Sequence, residues 1–428
     1  MLTKEENELL TRTGPGTPMG ETMRRYWIPV LSSAELAEPD SPPQQVKLLG
    51  EQLVAFRDSN GRVGLLEEHC PHRGVSLWLG RNEECGLRCV YHGWKFDVEG
   101  DCVDQMNEPD SFAQKIRATA YPTLELGGIV WAYMGPRDRI PPPPRFEFTQ
   151  VPESHRYVTR SWEECNWLQA LEGGIDTSHV AVLHRMLSSN PDGTGFGTTT
   201  ALVRAGPPTL ELETTDYGYR YAGIRPLGDE GKYVRSYHFV MPFTQIRPQQ
   251  LDWANDSYTP TIGGHFWVPM DDANCMVWNW IYSYGPEPLK KPEDDFRTAG
   301  NGLSDMDPAN NFRKLRNKDI RWGIDRSAQR TENFTGITGV NTQDHAVQES
   351  MGPVVNRAKE HLGPADRAVI VARQLLMRAI QAVEDGAGPR GADTSYYGVR
   401  AIERVIPNDA DWWTEFRAES LAEAASAG

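Results

Sequence analysis

Residues 70 to 92, CPHRGVSLWLGRNEECGLRCVYH, repeat one short pattern and constrain the chain more than any other stretch. Cys70-Pro71-His72 comes first, and Cys89-Val90-Tyr91-His92 follows after sixteen intervening residues. Each half offers one thiolate and one imidazole on a turn, so two adjacent metal ions can share four ligands. A [2Fe–2S] centre with two Cys on one iron and two His on the other requires this set. Neutral imidazoles replacing two thiolates lower the centre's negative charge and ease its reduction. The range is roughly −150 to +300 mV, against about −400 mV for an all-Cys plant-type centre. Gly74, Gly86 and Gly93 let turns approach a cluster closely, and Trp94 and Phe96 can shield one side. Structural zinc is the alternative, because Cys and His pairs also suit a tetrahedral ion. Cys85 reads as a bystander, since CxH with CxxH already completes the ligand set.

The surrounding chain has room for more than a cluster. Its 428 residues suffice for two domains with full cores. The alternating pieces VKLLGEQLVAFRD and GRVGLLEE, punctuated by Gly and Asn-Gly, predict small antiparallel strands continuing to about Tyr133. Pro141 to Pro144 has no backbone donors and favours an extended rod, so it marks a domain boundary. This predicts an N-terminal segment (1–44), a cluster domain (45–140) and a second domain (145–428). Residues 4 to 12 predict a short helix, 163 to 186 helical spacing interrupted by Gly173-Gly174, and Thr198 to Tyr284 strands. Met306 to Ser327 and Gly363 to Val383 read as amphipathic helices, with Val369, Leu376 and Ile380 on one face of the latter. NPDGTGFGTTT (190–200) is a loop and candidate lid.

Composition closes off several classes. A net charge of −15 argues against a nucleic-acid partner, which calls for a basic face. No apolar run approaches a membrane span, and MLTKEENELL lacks the apolar core of a signal peptide. Six Cys are too few for a disulfide scaffold. The expected location is the cytoplasm.

A second metal site follows from Asp176, His179 and His184. Two imidazoles and one carboxylate can occupy one face of an iron(II) ion, leaving the opposite positions for dioxygen and water. Alone, two histidines read equally as core or surface groups; the upstream cluster block turns the reading towards iron. His179 and His184 are five apart, so a helix carrying both must deform or end there. Spacing does not find the third ligand among 59 acidic residues. Asp176 also suits a helix cap before His179.

Taken together, these blocks resemble the oxygenase (alpha) component of Rieske non-haem iron aromatic ring-hydroxylating oxygenases, in the phthalate dioxygenase-like group. The resemblance runs through MGETMRRYW (19–27), the Cys/His block, EGGIDTSH (172–179) and QDHAVQESMGP (343–353). It implies an α+β fold: an antiparallel β Rieske [2Fe–2S] domain, then a helix-grip catalytic domain with a large antiparallel sheet flanked by helices. It implies Asp344 as the third ligand to the mononuclear non-haem Fe(II), with Glu349 the rival acid; His345 and His69 merely adjoin ligands. Asp176 would be a catalytic link at a subunit contact, joining His92 of one protomer to His179 of the next in a homotrimer or stacked trimers. Such a carboxylate fixes the tautomer of a ligating imidazole and raises its basicity.

The implied activity is O₂-dependent hydroxylation of an aromatic carboxylate, of phthalate or benzoate type. O-demethylation of a methoxylated aromatic acid is the alternative. Electrons would come from NADH through a separate flavin and iron–sulfur reductase, and no GxGxxG follows a strand here to bind the nicotinamide. A bare Rieske electron carrier would need neither the second site nor some 280 residues beyond the cluster domain. Arg204, Arg220, Arg225, Arg235 and Arg247 are candidate anchors for a substrate carboxylate.

Overall fold

Short alternating runs become short strands. The computed structural model describes residues 2–187, 195, 200–252, 257–393 and 396–421. Helix α1 (Lys4–Thr11) starts on a Thr3–Glu6 capping box, as its acidic first turn predicts. Eleven strands are used in the N-terminal region: β1 (Trp27–Ser32), β2 (Gln44–Leu48), β3 (Glu51–Arg57), β4 (Val63–Glu67), β5 (Arg81–Glu83), β6 (Gly86–Arg88), β7 (Trp94–Phe96), β8 (Cys102–Gln105), β9 (Ala120–Tyr121), β10 (Thr123–Leu126) and β11 (Ile129–Tyr133). They form antiparallel sheets in the orders β1-β11-β10, β2-β3-β4-β9 and β5-β6-β7-β8. Val54, Phe56, Leu66, Leu77, Leu87 and Phe96 make a small core that buries Cys70 and Cys89.

The larger unit is built on a ten-stranded sheet. Its main strands are β12 (Arg156–Glu163), β13 (Thr209–Thr214), β14 (Gly218–Pro226), β15 (Lys232–Val240), β16 (Thr244–Pro248), β17 (Thr261–Asp271) and β18 (Asn274–Ser283). They lie in the order β13-β14-β15-β16-β17-β18-β12 and pair antiparallel. Period-two alternation gives this sheet two characters. Phe266, Trp278 and Trp280 belong to the apolar core, where Trp280 stacks on Phe148 at 4.8 Å and Phe266 meets Trp131 edge-on at 5.5 Å. On the alternate positions the registered neighbours Thr159–Asn279–His265–Gln245 run polar across four strands. Helices α2 (Trp167–Ile175), α3 (Val340–Ser350) and α4 (Arg367–Glu384) complete the unit. Tyr221 and Tyr219 anchor the polar side to two of them, donating to Ile175 O (2.7 Å) and Ala368 O (2.9 Å).

The helix expected over Gly363–Val383 is α4, which buries Val369, Leu376 and Ile380. Three expectations need correction. Gly173-Gly174 does not interrupt the helical segment: α2 runs through both and ends at Ile175. A Cβ on Gly174 would stand 2.0 Å from the Trp267 ring, and one on Gly173 would stand 2.0 Å from Gln348 Nε2. The pair admits neighbours to the helix backbone instead of breaking it. Met306–Ser327 is no helix; it forms short strands and 3₁₀ turns, with left-handed backbone at Asn311, Phe312, Arg321 and Trp322. Pro308, the Asn310-Asn311 pair and Gly323 outweigh the apolar spacing there. The run from Thr198 is not all strand, since Ala201–Arg204 makes one helical turn. The 190–200 loop lies outside the described residues except Gly195 and Thr200. No helix among the described residues is long and apolar enough to cross a membrane.

Candidate metal centres

The two Cys/His turns share one backbone design. Cys70 O accepts from Gly74 N (2.8 Å) and Cys89 O from Gly93 N (3.0 Å). Cys70 N donates to Val75 O (2.9 Å) and Cys89 N to Trp94 O (2.8 Å). Gly74 and Gly93 close these turns at φ 73° and 76°, where a side chain would be strained. The donor set sorts by element. Neither Cys70 nor Cys89 is in a disulfide, and their thiols are near enough to influence one another. Cys89, ahead of burial, pushes Cys70 up, and Cys70 pulls Cys89 down to about 6. The His72 and His92 rings meet with centroids 4.4 Å apart. Paired sulfurs and paired imidazoles suit a cluster with two Cys on one iron and two His on the other. Trp94 stacks on His72 at 4.3 Å, a shield on the predicted side. Cys85 is elsewhere, its sulfur accepting from Asn60 Nδ2 (3.1 Å).

The second site gathers three distant segments. α2 ends at Asp176, and one helical turn (Val180–Leu183) follows between His179 and His184. Ending the helix at His184 resolves the five-residue spacing. Asp344 on α3 completes the group: its Oδ1 is 3.5 Å from His179 Nε2 and 3.3 Å from His184 Nε2. Ligand atoms about 2.1 Å from a single ion lie roughly 3.0–3.4 Å apart, so these residues fit one metal ion.

Each imidazole is oriented from behind. His179 Nδ1 donates to Asp176 Oδ2 (3.0 Å). His184 Nδ1 donates to Gln343 Oε1 (2.7 Å), whose own Nε2 donates to Ile337 O (2.8 Å) and so fixes the amide. Both rings therefore direct Nε2 towards Asp344. Burial opposes charge on His179, yet Asp176 and Asp344 outweigh it and push the ring up to about 10. Burial likewise opposes the Asp344 anion, and the two imidazoles hold it well below the usual carboxylate range. The site attracts positive charge.

Asp176 caps and orients at once. Oδ1 accepts from Ser178 N and Oγ (2.7 Å each), and Oδ2 accepts from His179 N (3.0 Å) as well as from the ring. Glu349 is turned away, accepting from Trp322 Nε1 (2.6 Å) and Glu164 N (3.0 Å). His345 faces Glu163 at 3.8 Å, and His69 lies on the surface.

A cavity of about 860 Å³ lies between the polar sheet face and the helices, lined by His179, His184 and Asp344. Of the five arginines, only Arg235 and Arg247 line it. Arg204 and Arg220 pair with Glu230 and Glu213, and Arg225 donates to Thr177 O (2.7 Å). Arg235 stands 3.7 Å from Glu403. Arg247 has no acidic partner within 4 Å among the described residues, and its Nη1 donates to Gln249 Oε1. Its Nε donates to His265 Nε2 (3.3 Å), and His265 Nδ1 therefore donates to Asn279 Oδ1 (3.0 Å). Burial, then the Arg247 charge, lowers His265 to about 3, so this buttress is neutral. Burial lowers Arg247 to about 10 and leaves it a cation at neutral pH. Sequence reasoning missed Gln343 and the His265–Asn279 buttress; no spacing rule links them to their partners.

Comparison with known proteins agrees with both centres. Residues 26–117 match the Rieske [2Fe-2S] domain family and residues 132–427 the "LigXa C-terminal domain like" family. The phthalate 4,5-dioxygenase oxygenase subunit of Pseudomonas putida is 39% identical over 96% of this chain and 94% of its own length. The 3-chlorobenzoate-3,4-dioxygenase oxygenase subunit of Comamonas testosteroni is 38% identical over 97% and 98%. The 5,5'-dehydrodivanillate O-demethylase oxygenase subunit of a Sphingobium species is 32% identical over 95% and 86%. Among solved structures, the caffeine-bound NdmA QL mutant of Pseudomonas putida CBB5 shares the fold at TM-score 0.62 and 20% identity, covering 92% of this chain and 99% of that one. With a Rieske domain ahead of this catalytic domain and such relatives along nearly its whole length, the chain belongs to the oxygenase alpha subunits of the Rieske aromatic ring-hydroxylating oxygenases.

Proposed function

We propose that Cys70, His72, Cys89 and His92 hold the cluster, that His179, His184 and Asp344 hold iron(II), and that the enzyme hydroxylates an aromatic carboxylate with O₂. The cluster domain is 45–140 and the catalytic domain 145–428. A bound cluster supplies electrons singly, received from NADH through a separate flavin and iron–sulfur reductase. Iron(II) on a two-His, one-carboxylate face supplies open positions for dioxygen. The protein works in the cytoplasm as a homotrimer, in which Asp176 joins His179 to His92 of the next protomer. Its four acceptor positions already meet four donors, so the His92 ring would displace the Ser178 hydroxyl, the one donor free to rotate away. Exposed apolar side chains beside each centre support a contact there: Trp78, Val90 and Tyr91 near the cluster, Val182 and Val347 near the iron site.

The observation that carries the substrate class is Arg247, a half-buried cation lining the cavity that holds the triad, with no acid partner within 4 Å among the described residues. A carboxylate docked on it would satisfy both charges. The test is turnover, with reductase supplied, on a panel of phthalates, benzoates, their amides and methoxyarenes. Arg247→Met is expected to raise KM for the carboxylates about 100-fold, about 2.7 kcal/mol, and to leave the amides nearly unaffected. Equal losses for acid and amide would remove Arg247 from substrate binding. The O-demethylase relative supports a second outcome, which the panel separates: a ring cis-diol against formaldehyde.

Cluster identity has its own check. The purified protein is expected to be red-brown, with the low-average-g EPR signal of a Rieske centre on reduction. Stoichiometric zinc without labile sulfide would sink the ligand assignment.

A further inference from the structure

Glu163 is the last residue of β12, in step with Thr159 and Ser161 on the polar face of the sheet. Its side chain has no exposed surface, yet it lines the cavity shared by His179, His184 and Asp344. Neither carboxyl oxygen has a hydrogen-bond partner among the described residues. The groups that face it are Asp344, His345 and Glu349 from α3, Lys314 from the short strand beside β12, and Cys165 from the turn into α2. His345 Nε2 is 3.8 Å away, and Lys314 Nζ donates to Gly300 O (2.9 Å). An anion so placed is strongly disfavoured. Burial, then Glu349, pushes Glu163 well above the usual carboxylate range, which favours its neutral form. A purely structural role would be met as well by glutamine, which needs no proton.

We propose that Glu163 is the acid that delivers protons to the oxygen being reduced in this cavity. The inference rests on the iron site proposed above and holds for either reaction outcome. Ring dihydroxylation takes up one O₂, two electrons and two protons and gives a cis-diol. Monooxygenation takes up the same and gives one hydroxyl group and one water. The reductase supplies the electrons through the cluster. The protons must reach a cavity from which bound substrate excludes water, and Glu163 stands in its wall. Each transfer breaks the Glu163 O–H bond and forms an O–H bond on the reduced oxygen. The carboxylate left behind is buried and has no hydrogen-bond partner among the described residues, so it is driven to regain a proton, relayed from solvent through the groups that face it; two such transfers match the two electrons.

Glu163→Gln keeps the shape and removes the proton. Infrared difference spectra of the metal-free proteins, unaltered minus variant, are expected to show a neutral carboxylic acid carbonyl band at neutral pH, shifted in D₂O. With iron and cluster loaded, single-turnover oxidation of the reduced cluster with substrate and O₂ is expected to slow about 100-fold, with iron content and EPR unchanged. Glu163→Asp, also the fallback if the Gln variant does not fold, is expected to shift the infrared band rather than remove it, leaving paired positive and negative features in the difference spectrum, and to slow about 10-fold. No neutral-acid band, loss of iron from the Gln variant, or a rate within about twofold of the unaltered protein in whichever variant folds would overturn the proposal. Failure of the unaltered protein to bind iron would instead strike the iron-site reading, which the metal-free infrared measurement does not depend on.

Discussion

Asp344→Ala is expected to empty the iron site and abolish turnover, a loss on the order of 1,000-fold or more, while the Rieske EPR signal stays intact. The carboxylate lies within 3.5 Å of both imidazole Nε2 atoms and is the acid that α3 brings to them. Without it, two neutral histidines face the ion alone, and the pull on a cation is left to Asp176 behind His179. The check pairs iron analysis with single-turnover kinetics. Glu349→Ala is the matched control: Glu349 is committed to Trp322 and the Glu164 backbone, so its loss should leave iron in place. If Glu349→Ala empties the site and Asp344→Ala does not, the carboxylate has been misassigned.

Asp176→Asn is expected to cut iron affinity or turnover 10- to 100-fold without unfolding the protein. Asparagine is ordinarily as good a cap as aspartate, but here each carboxylate oxygen faces a backbone N–H, one from Ser178 and one from His179. An amide has one accepting end. Turned one way, its NH₂ opposes the Ser178 N–H. Turned the other way, it opposes the His179 N–H and offers the ring a donor, favouring the tautomer with hydrogen on Nε2, where the metal lone pair belongs. Burial opposes the Asp176 anion, but its bonds to His179 and Ser178 outweigh that and lower it to about 2. It is ionised throughout the neutral range, so the Asn variant should show the same deficit from pH 6 to 8. A deficit that disappears within that window would mean that another group carries the effect.

Local chemistry was legible where ligands sit close in sequence. CxH with CxxH singles out all four proposed cluster ligands, because each turn is a self-contained loop closed by its own glycine. His179 and His184 were readable for the same reason. Asp344 lies 160 residues beyond them, and only family resemblance, not spacing, singled it out. Gln343 and Glu163 were invisible: their roles come from strand register and from a helix laid across a sheet, which no local pattern encodes. The failed helix over Met306–Ser327 shows the converse limit. Apolar spacing there is real, but Asn and Gly drew the backbone into left-handed turns, and tertiary packing decided the outcome.

The two-sided character of the large sheet bears on how such an enzyme can change its substrate. On β17 a residue of the aromatic layer and a residue that faces the cavity are immediate neighbours pointing in opposite directions, as Phe266 and His265 do. A mutation at an odd step can therefore alter selectivity while the aromatic layer behind it stays untouched. Adaptation to a new compound can proceed one side chain at a time at positions such as Ile281, which lines the cavity and lies outside the main apolar core. A lineage built this way can diversify its chemistry faster than its architecture.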